Sequence, residues 1–152
     1  NLPSSITFET NGTQTLTDDF VQYVTNKGTH NVHTFISCSP KLWTVAGEKS
    51  EKAIKPDNLI EYNKVFSVGN KGPIGQLKFV LGSKEEQWEE LDHVINQFKS
   101  KGLNWPIYIM PVGATVEEQE EGAGNVAEMA FKRGYNVSAR VHVYLFGNAI
   151  GT

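Results

Sequence analysis

Apolar and polar positions switch between two periods along this chain, and the switching predicts a repeated strand–helix unit. Residues 6–10 read as a strand that stops at Asn11-Gly12, after which Leu16, Phe20, Val21 and Val24 recur at helical spacing. Residues 34–38 give a second strand, halted by Pro40, which lacks a backbone donor and favours an extended Ser39. A polar connection through Gly47 and Lys55 follows. Pro56 and Asp57 then open a short helix carrying Leu59, Ile60, Tyr62 and Phe66.

In the second half, Gly69, Gly72, Pro73 and Gly75 form a loop before a third strand over residues 77–81. Because this glycine-rich loop precedes a strand, it reads as a tight connection and not as a phosphate cradle. Ser83-Lys84-Glu85-Glu86 has the spacing of a capping box, and Trp88, Leu91, Val94, Ile95 and Phe98 lay an apolar stripe along the helix that ends at Gly102. Residues 106–110 are the fourth strand. Thr115 to Glu118 start a helix whose Val126, Met129, Ala130 and Phe131 face inward before Gly134 ends it. The last strand covers residues 137–145, with Ser138, Arg140, His142 and Tyr144 on one face and Val137, Ala139, Val141, Val143 and Leu145 on the other.

Five strands alternating with four helices define an α/β chain of mainly parallel strands joined by right-handed crossovers. That order fits either part of a larger barrel or a small open sheet. A chain of 152 residues, 39% of them apolar, fits a single domain over residues 1–152. The formal charge of −3 supplies no general attraction to nucleic acid, and neither a signal peptide nor an apolar run of about 18 residues is present, so neither nucleic acid nor membrane is expected as a partner. A cytoplasmic location is the default expectation.

The polar residues with chemical potential cluster at strand ends, where parallel α/β folds bind ligands. Glu9 and Asn11 can accept and donate hydrogen bonds to ribose hydroxyls, or simply form an Asn-Gly turn beside an exposed glutamate. Ser39 and Lys41 flank a rigid proline and suit the carboxylate of an amino acid. Lys78 lies inside an apolar strand, so it is either paired or extended to the rim. Cys38, the single cysteine, reads as a small buried hydrophobe. His30 and His33 lack the neighbouring ligands of a metal pair and read as loop residues.

The segments Glu9-Thr10-Asn11-Gly12-Thr13, Ser39-Pro40-Lys41, Gln76-Leu77-Lys78-Phe79-Val80, Met110-Pro111-Val112-Gly113-Ala114 and the stretch 140–148, in this order, resemble the C-terminal part of the 7-carboxy-7-deazaguanine synthases. These are radical S-adenosylmethionine (SAM) enzymes, similar to organic radical activating enzymes, that act in queuosine and deazapurine biosynthesis. The resemblance implies the C-terminal part of a partial (β/α) barrel. It also implies SAM contacts from Glu9, Asn11, Ser39, Lys41, Met110 and Pro111, and substrate contacts from Arg140 and His142. Many members carry a Gln-Pro pair where this chain has Met110-Pro111, and Val141 and Val143 replace the usual neighbours of the histidine.

The family's cofactors are SAM, a [4Fe–4S] cluster held by three cysteines of its N-terminal half, and Mg²⁺. One cysteine cannot supply those ligands, so no cofactor is expected on this chain itself and no residue is assigned a catalytic role. The expectation is a C-terminal fragment, inactive by itself, of a carbon–nitrogen lyase acting on the small-molecule substrate 6-carboxytetrahydropterin. The sheet edge left open where further strands belong predicts a homo-oligomer. The alternatives are another radical SAM activating enzyme, or a cluster-free half-barrel serving as a binding or assembly module.

Overall fold

The computed structural model describes residues 5–25, 33–67 and 72–147. Five strands, β1 (Ser5–Thr10), β2 (His33–Cys38), β3 (Gly75–Leu81), β4 (Ile107–Pro111) and β5 (Asn136–Val137), form one parallel sheet in the order β1-β2-β3-β4-β5. The sheet is open, with β1 and β5 at its edges among the described residues. The helices are α1 (Asp18–Thr25), α2 (Trp43–Ala46), α3 (Ser50–Ala53), α4 (Pro56–Phe66), α5 (Glu85–Ser100), α6 (Val116–Lys132) and α7 (Val141–Phe146). Every crossover advances one strand in the same direction, so the right-handed rule puts α1, α4, α5 and α6 on the same face.

Burial follows this one-sidedness. In β3, Gly75, Leu77, Phe79 and Leu81 are buried, whereas Gln76, Lys78 and Val80 are half-exposed. With Ile36, Cys38, Ile107 and Ile109 they build a core against Leu59, Trp88, Leu91, Val94, Ile95, Phe98, Val126 and Ala130. Parallel sheets are ordinarily covered on both faces. Here the face opposite the four long helices carries Thr7, Glu9, Ser37, Gln76, Lys78, Tyr108 and Met110, as the inward side of a barrel wall would. At the β1 end, Phe8, Phe20, Phe66 and Tyr62 form a ring cluster with centroids 5.4–6.5 Å apart.

The four long helices match the sequence periodicity, and three short ones depart from it. The connection before α4 contains α2 and α3. Leu42 provides no side-chain cap for α2; instead Glu90, on α5, accepts from Trp43 N at 2.8 Å, Thr44 N at 2.9 Å and Thr44 Oγ1 at 2.6 Å. A cap supplied from so far along the chain leaves no local signature.

The expected strand over residues 137–145 is not formed. β5 stops after two residues, with Ser138 N bonded to Ile109 O at 2.9 Å, and residues 141–146 are helical. Arg140 Nη1 donates to Gly113 O at 2.6 Å while Arg140 O accepts from Val143 N, so the chain turns over the loop after β4. Val143 is fully buried, with Val141, Tyr144 and Leu145 exposed, and the alternating polar face of Ser138, Arg140, His142 and Tyr144 does not exist. Short apolar runs carry both periods, and here tertiary contacts choose the helix.

Two smaller corrections concern α5 and α6. The capping box at Ser83 is absent: Lys84 occupies the N-cap without a side-chain bond. Gln87 Oε1 instead accepts from Gly82 N at 2.7 Å and Trp88 Nε1 donates to Gly82 O at 3.0 Å. Phe131 is 65% exposed, because Gln119, Val126 and Ala130 define the buried stripe and Phe131 lies one helical step beyond it. By contrast, Thr115 does cap α6, its side chain accepting from Glu118 N at 3.2 Å, while Glu118 Oε2 reaches back to Ala114 N at 2.6 Å.

Gly12 has φ 78°, and a Cβ there would sit 2.9 Å from Cys38 Sγ and 3.1 Å from Leu59 Cδ2, whereas Gly47, at φ 69°, has nothing within 4 Å. Gly47→Ala therefore carries only the left-handed backbone cost of about 1–2 kcal/mol, and Gly12→Ala adds roughly 1–3 kcal/mol of overpacking. Urea unfolding of the two variants checks this: Gly12→Ala shows the larger loss, and equal losses would contradict the packing argument.

Candidate functional site

The loops after β1, β2 and β4 lie along the rim at the carboxyl ends of the strands, and each is fastened to a neighbouring element. After β1, Asn11 Oδ1 accepts from Thr13 N at 3.1 Å and Thr13 Oγ1 at 2.8 Å, and Gly12 N donates to Thr10 Oγ1 at 3.0 Å. This is an Asx-type turn, which gives the Asn-Gly sequence its structural use. Asn58 Nδ2, from α4, donates to Gly12 O at 3.1 Å, and the Tyr62 hydroxyl donates to Gln14 O. After β2, Ser39 N donates to Thr10 O at 2.7 Å, Pro40 is buried and Lys41 is exposed.

These segments bring Asn11 and Lys41 to one open groove of about 520 Å³, with Thr13, Glu48, Lys52 and Lys55 also on its walls. Lys52 and Lys55 carried no functional expectation from sequence, because they fell in what read as a polar connection. α3 and the start of α4 bring them to the groove.

Glu9 occupies a different position, on the open face of the sheet. Its carboxylate receives Lys78 Nζ at 2.9 Å, from two strands away, and Gln76 Nε2 donates to Ser37 Oγ at 3.2 Å between them. Lys78 is thus paired, one of the two readings its sequence position allowed, with 20% of its side chain exposed. Burial alone pushes the Glu9 carboxyl up, but hydrogen bonds from Lys78 and Ser37 and the ammonium charge outweigh it and hold the group below its ordinary value of 4.5. Ser37 and Gln76 were not singled out from sequence; pairing Glu9↔Ser37↔Gln76 is what aligns them.

Met110 is half-buried on the same sheet face, and Pro111 is buried at the end of β4. Gln119, 1% exposed, donates from Nε2 to Pro111 O and Gly113 O, both at 3.0 Å, and so pins the loop. Arg140 spends one guanidinium N–H on the same Gly113 carbonyl. His142 lies in α7, not on a strand, and its side chain is outside the described residues. Structure thus joins Asn11 to Lys41 in one groove, joins Glu9 to Lys78 on the sheet, and ties Arg140 to the loop that follows Met110 and Pro111.

Cys38 is fully buried, and burial, with the Glu9 charge second, pushes its thiol up to about 12, so it is an inert core residue. His33 is exposed, His30 lies outside the described residues, and no group of three or more His, Cys, Asp or Glu side chains gathers to hold a metal among the described residues. No helix of the described residues is long and apolar enough to cross a membrane.

The depressed Glu9 carboxyl gives a pH dependence with a definite sign. Its contribution to stability is fully present above pH 4.5 and is lost as pH falls through the lower folded value. Lys78→Met removes both influences of the ammonium and leaves burial opposed only by Ser37. A carbon-13 titration of the Glu9 carboxyl should then show a midpoint below 4.5 in the unmodified chain and a higher one in the variant. An unmoved midpoint would mean that Lys78 does not set it.

No protein-family model matches the chain, and no solved structure matches it. Among curated proteins, it is 35% identical over 77 residues to the 7-carboxy-7-deazaguanine synthase of Rhodopirellula baltica. The matched stretch is 51% of this chain and 29% of that protein, so the chain spans less than a third of its relative's length in the match. The chain is similar to a portion of a 7-carboxy-7-deazaguanine synthase, the family to which its strand-end motifs pointed.

Proposed function

We propose that this chain is the SAM- and substrate-binding C-terminal part of a radical SAM enzyme that converts 6-carboxytetrahydropterin to 7-carboxy-7-deazaguanine. The observation that carries the reading is the match to the Rhodopirellula baltica synthase. The gathering of Asn11 and Lys41 at one groove, on the rim where parallel strands end, supports it.

In this reading Lys41 and the Ser39 hydroxyl receive the methionyl carboxylate of SAM, an ammonium and a hydroxyl suited to a small anion. Asn11 and the Glu9 carboxylate accept hydrogen bonds from ribose hydroxyls, with Lys78 paired to Glu9 and lowering its pKa. Met110 and Pro111 offer an apolar wall for the adenine. Arg140 and His142 meet the carboxylated pterin, Arg140 from a position already braced by Gly113.

SAM supplies the radical when it is cleaved at a reduced iron–sulfur cluster. The described residues do not fit that cluster or a magnesium site, since Cys38 is the sole cysteine, is buried, and has its thiol pushed up, and no acidic set converges. Their share of the reaction is to bind, orient and exclude water, and the chain alone is inactive. The six-residue edge of β1 supports self-association, because its outer backbone groups have no strand partner among the described residues.

Calorimetry with SAM tests the binding role: Lys41→Ala should weaken binding about tenfold, the loss of one charge-assisted hydrogen bond. Fusion to the N-terminal half of the Rhodopirellula baltica synthase, with its cluster reconstituted, should form the deazaguanine while the chain alone does not. A cluster-loaded fusion that binds neither SAM nor 6-carboxytetrahydropterin would overturn the reading. Sedimentation equilibrium tests the edge, with a purely monomeric chain as the contrary result.

A further inference from the structure

The charge of the groove exceeds what SAM requires. Three lysines, Lys41, Lys52 and Lys55, share its walls with a single carboxylate, Glu48. All three lysines are exposed and none takes part in an ion pair among the described residues, so their ammonium groups are open to a ligand. In a chain whose formal charge is −3, this is a local reversal of sign.

SAM accounts for only one of these lysines. Its sulfonium and ammonium leave it cationic overall, so Lys41 serves its carboxylate, and Lys52 and Lys55 have no second anionic group of SAM to meet. A phosphoryl group can meet both, because several oxygens with more than one negative charge accept from several ammonium groups at once. Thr13 and Gln14, also at the groove, add neutral side chains beside the lysines. At about 520 Å³ the open groove has room for a ligand of nucleotide size.

We propose that Lys52 and Lys55 make this groove a binding site for a small phosphorylated ligand, a nucleoside polyphosphate or a molecule of like charge. Lys52 comes from α3, and Lys55 directly precedes α4. The two lysines thus lie on a different segment from Ser39 and Lys41, and the proposal stands whether or not SAM binds the chain.

The test uses the full chain with ATP, inorganic pyrophosphate, adenosine and a short single-stranded RNA as probes in calorimetry, leaving Lys41 in place. ATP and pyrophosphate should bind, adenosine should not, and Lys52→Gln with Lys55→Gln should weaken both phosphorylated probes about tenfold or more. Lys99→Gln, a substitution on α5 away from the groove, should leave them unchanged, and circular dichroism confirms that the double variant is folded. Added salt should weaken the interaction, as expected for ammonium–phosphate contacts. The proposal fails if pyrophosphate and ATP do not bind, if the double variant binds them as the unmodified chain does, or if RNA binds more tightly than ATP. Failure of SAM to bind would bear on the preceding reading alone.

Discussion

Four crossovers of one hand, each advancing the sheet by one strand in the same direction, are the constraint on which the other features depend. With the strands in the order β1 to β5, the long helices have a single face to cover. The fully buried apolar residues of the strands therefore go to one side, against α4, α5 and α6, and the other side carries Glu9, Ser37, Gln76 and Lys78 together with Phe35, Val80, Tyr108 and Met110. An ion pair between Glu9 and Lys78 can then form across an intervening strand, over Ser37 and Gln76. The same order sends the loops that follow β1, β2 and β4 to one rim.

Buried or half-buried amides then hold that rim in place. Asn58 grips the loop after β1, Gln87 the one after β3, and Gln119 the one after β4, each by a hydrogen bond to loop backbone. A buried backbone group left without a partner costs on the order of 1–3 kcal/mol, so these amides restrict the loops to few conformations. A loop restricted in this way keeps polar side chains such as Asn11 at fixed separations, which binding a small ligand requires. Further along the sheet, Arg133 stacks 4.9 Å above the Trp88 ring and bonds Glu85 and Asp92, joining α5 to the end of α6.

Electrostatics divides the rim into two regions. On the sheet face charge is balanced, and Lys78 together with Ser37 holds the Glu9 carboxyl below its ordinary value against partial burial. In the groove the lysines outnumber the single carboxylate. Anionic groups are therefore favoured in the groove over the charge-balanced sheet face, at the same end of the strands.

The sequence by itself determined the α/β class, four of the five strands to within a residue or two, the four long helices, the burial of Cys38 and the identity of the strand-end segments. These are local properties: strand and helix differ in hydrophobic period, and Pro40, Gly102 and Gly134 interrupt them wherever the rest of the chain lies. Only the tertiary structure decided the fate of residues 137–145, because the bond from Arg140 to Gly113 and the burial of Val143 select a helix from a run that also alternates. It likewise decided α2, whose cap comes from Glu90, and the alternative between a paired and an extended Lys78. The convergence of Lys52 and Lys55 on Asn11 and Lys41 was illegible for the same reason. Bringing Lys52 and Lys55 to one groove with Asn11, some 40 positions earlier, depends on how the helices pack, and no periodicity in the intervening chain encodes it.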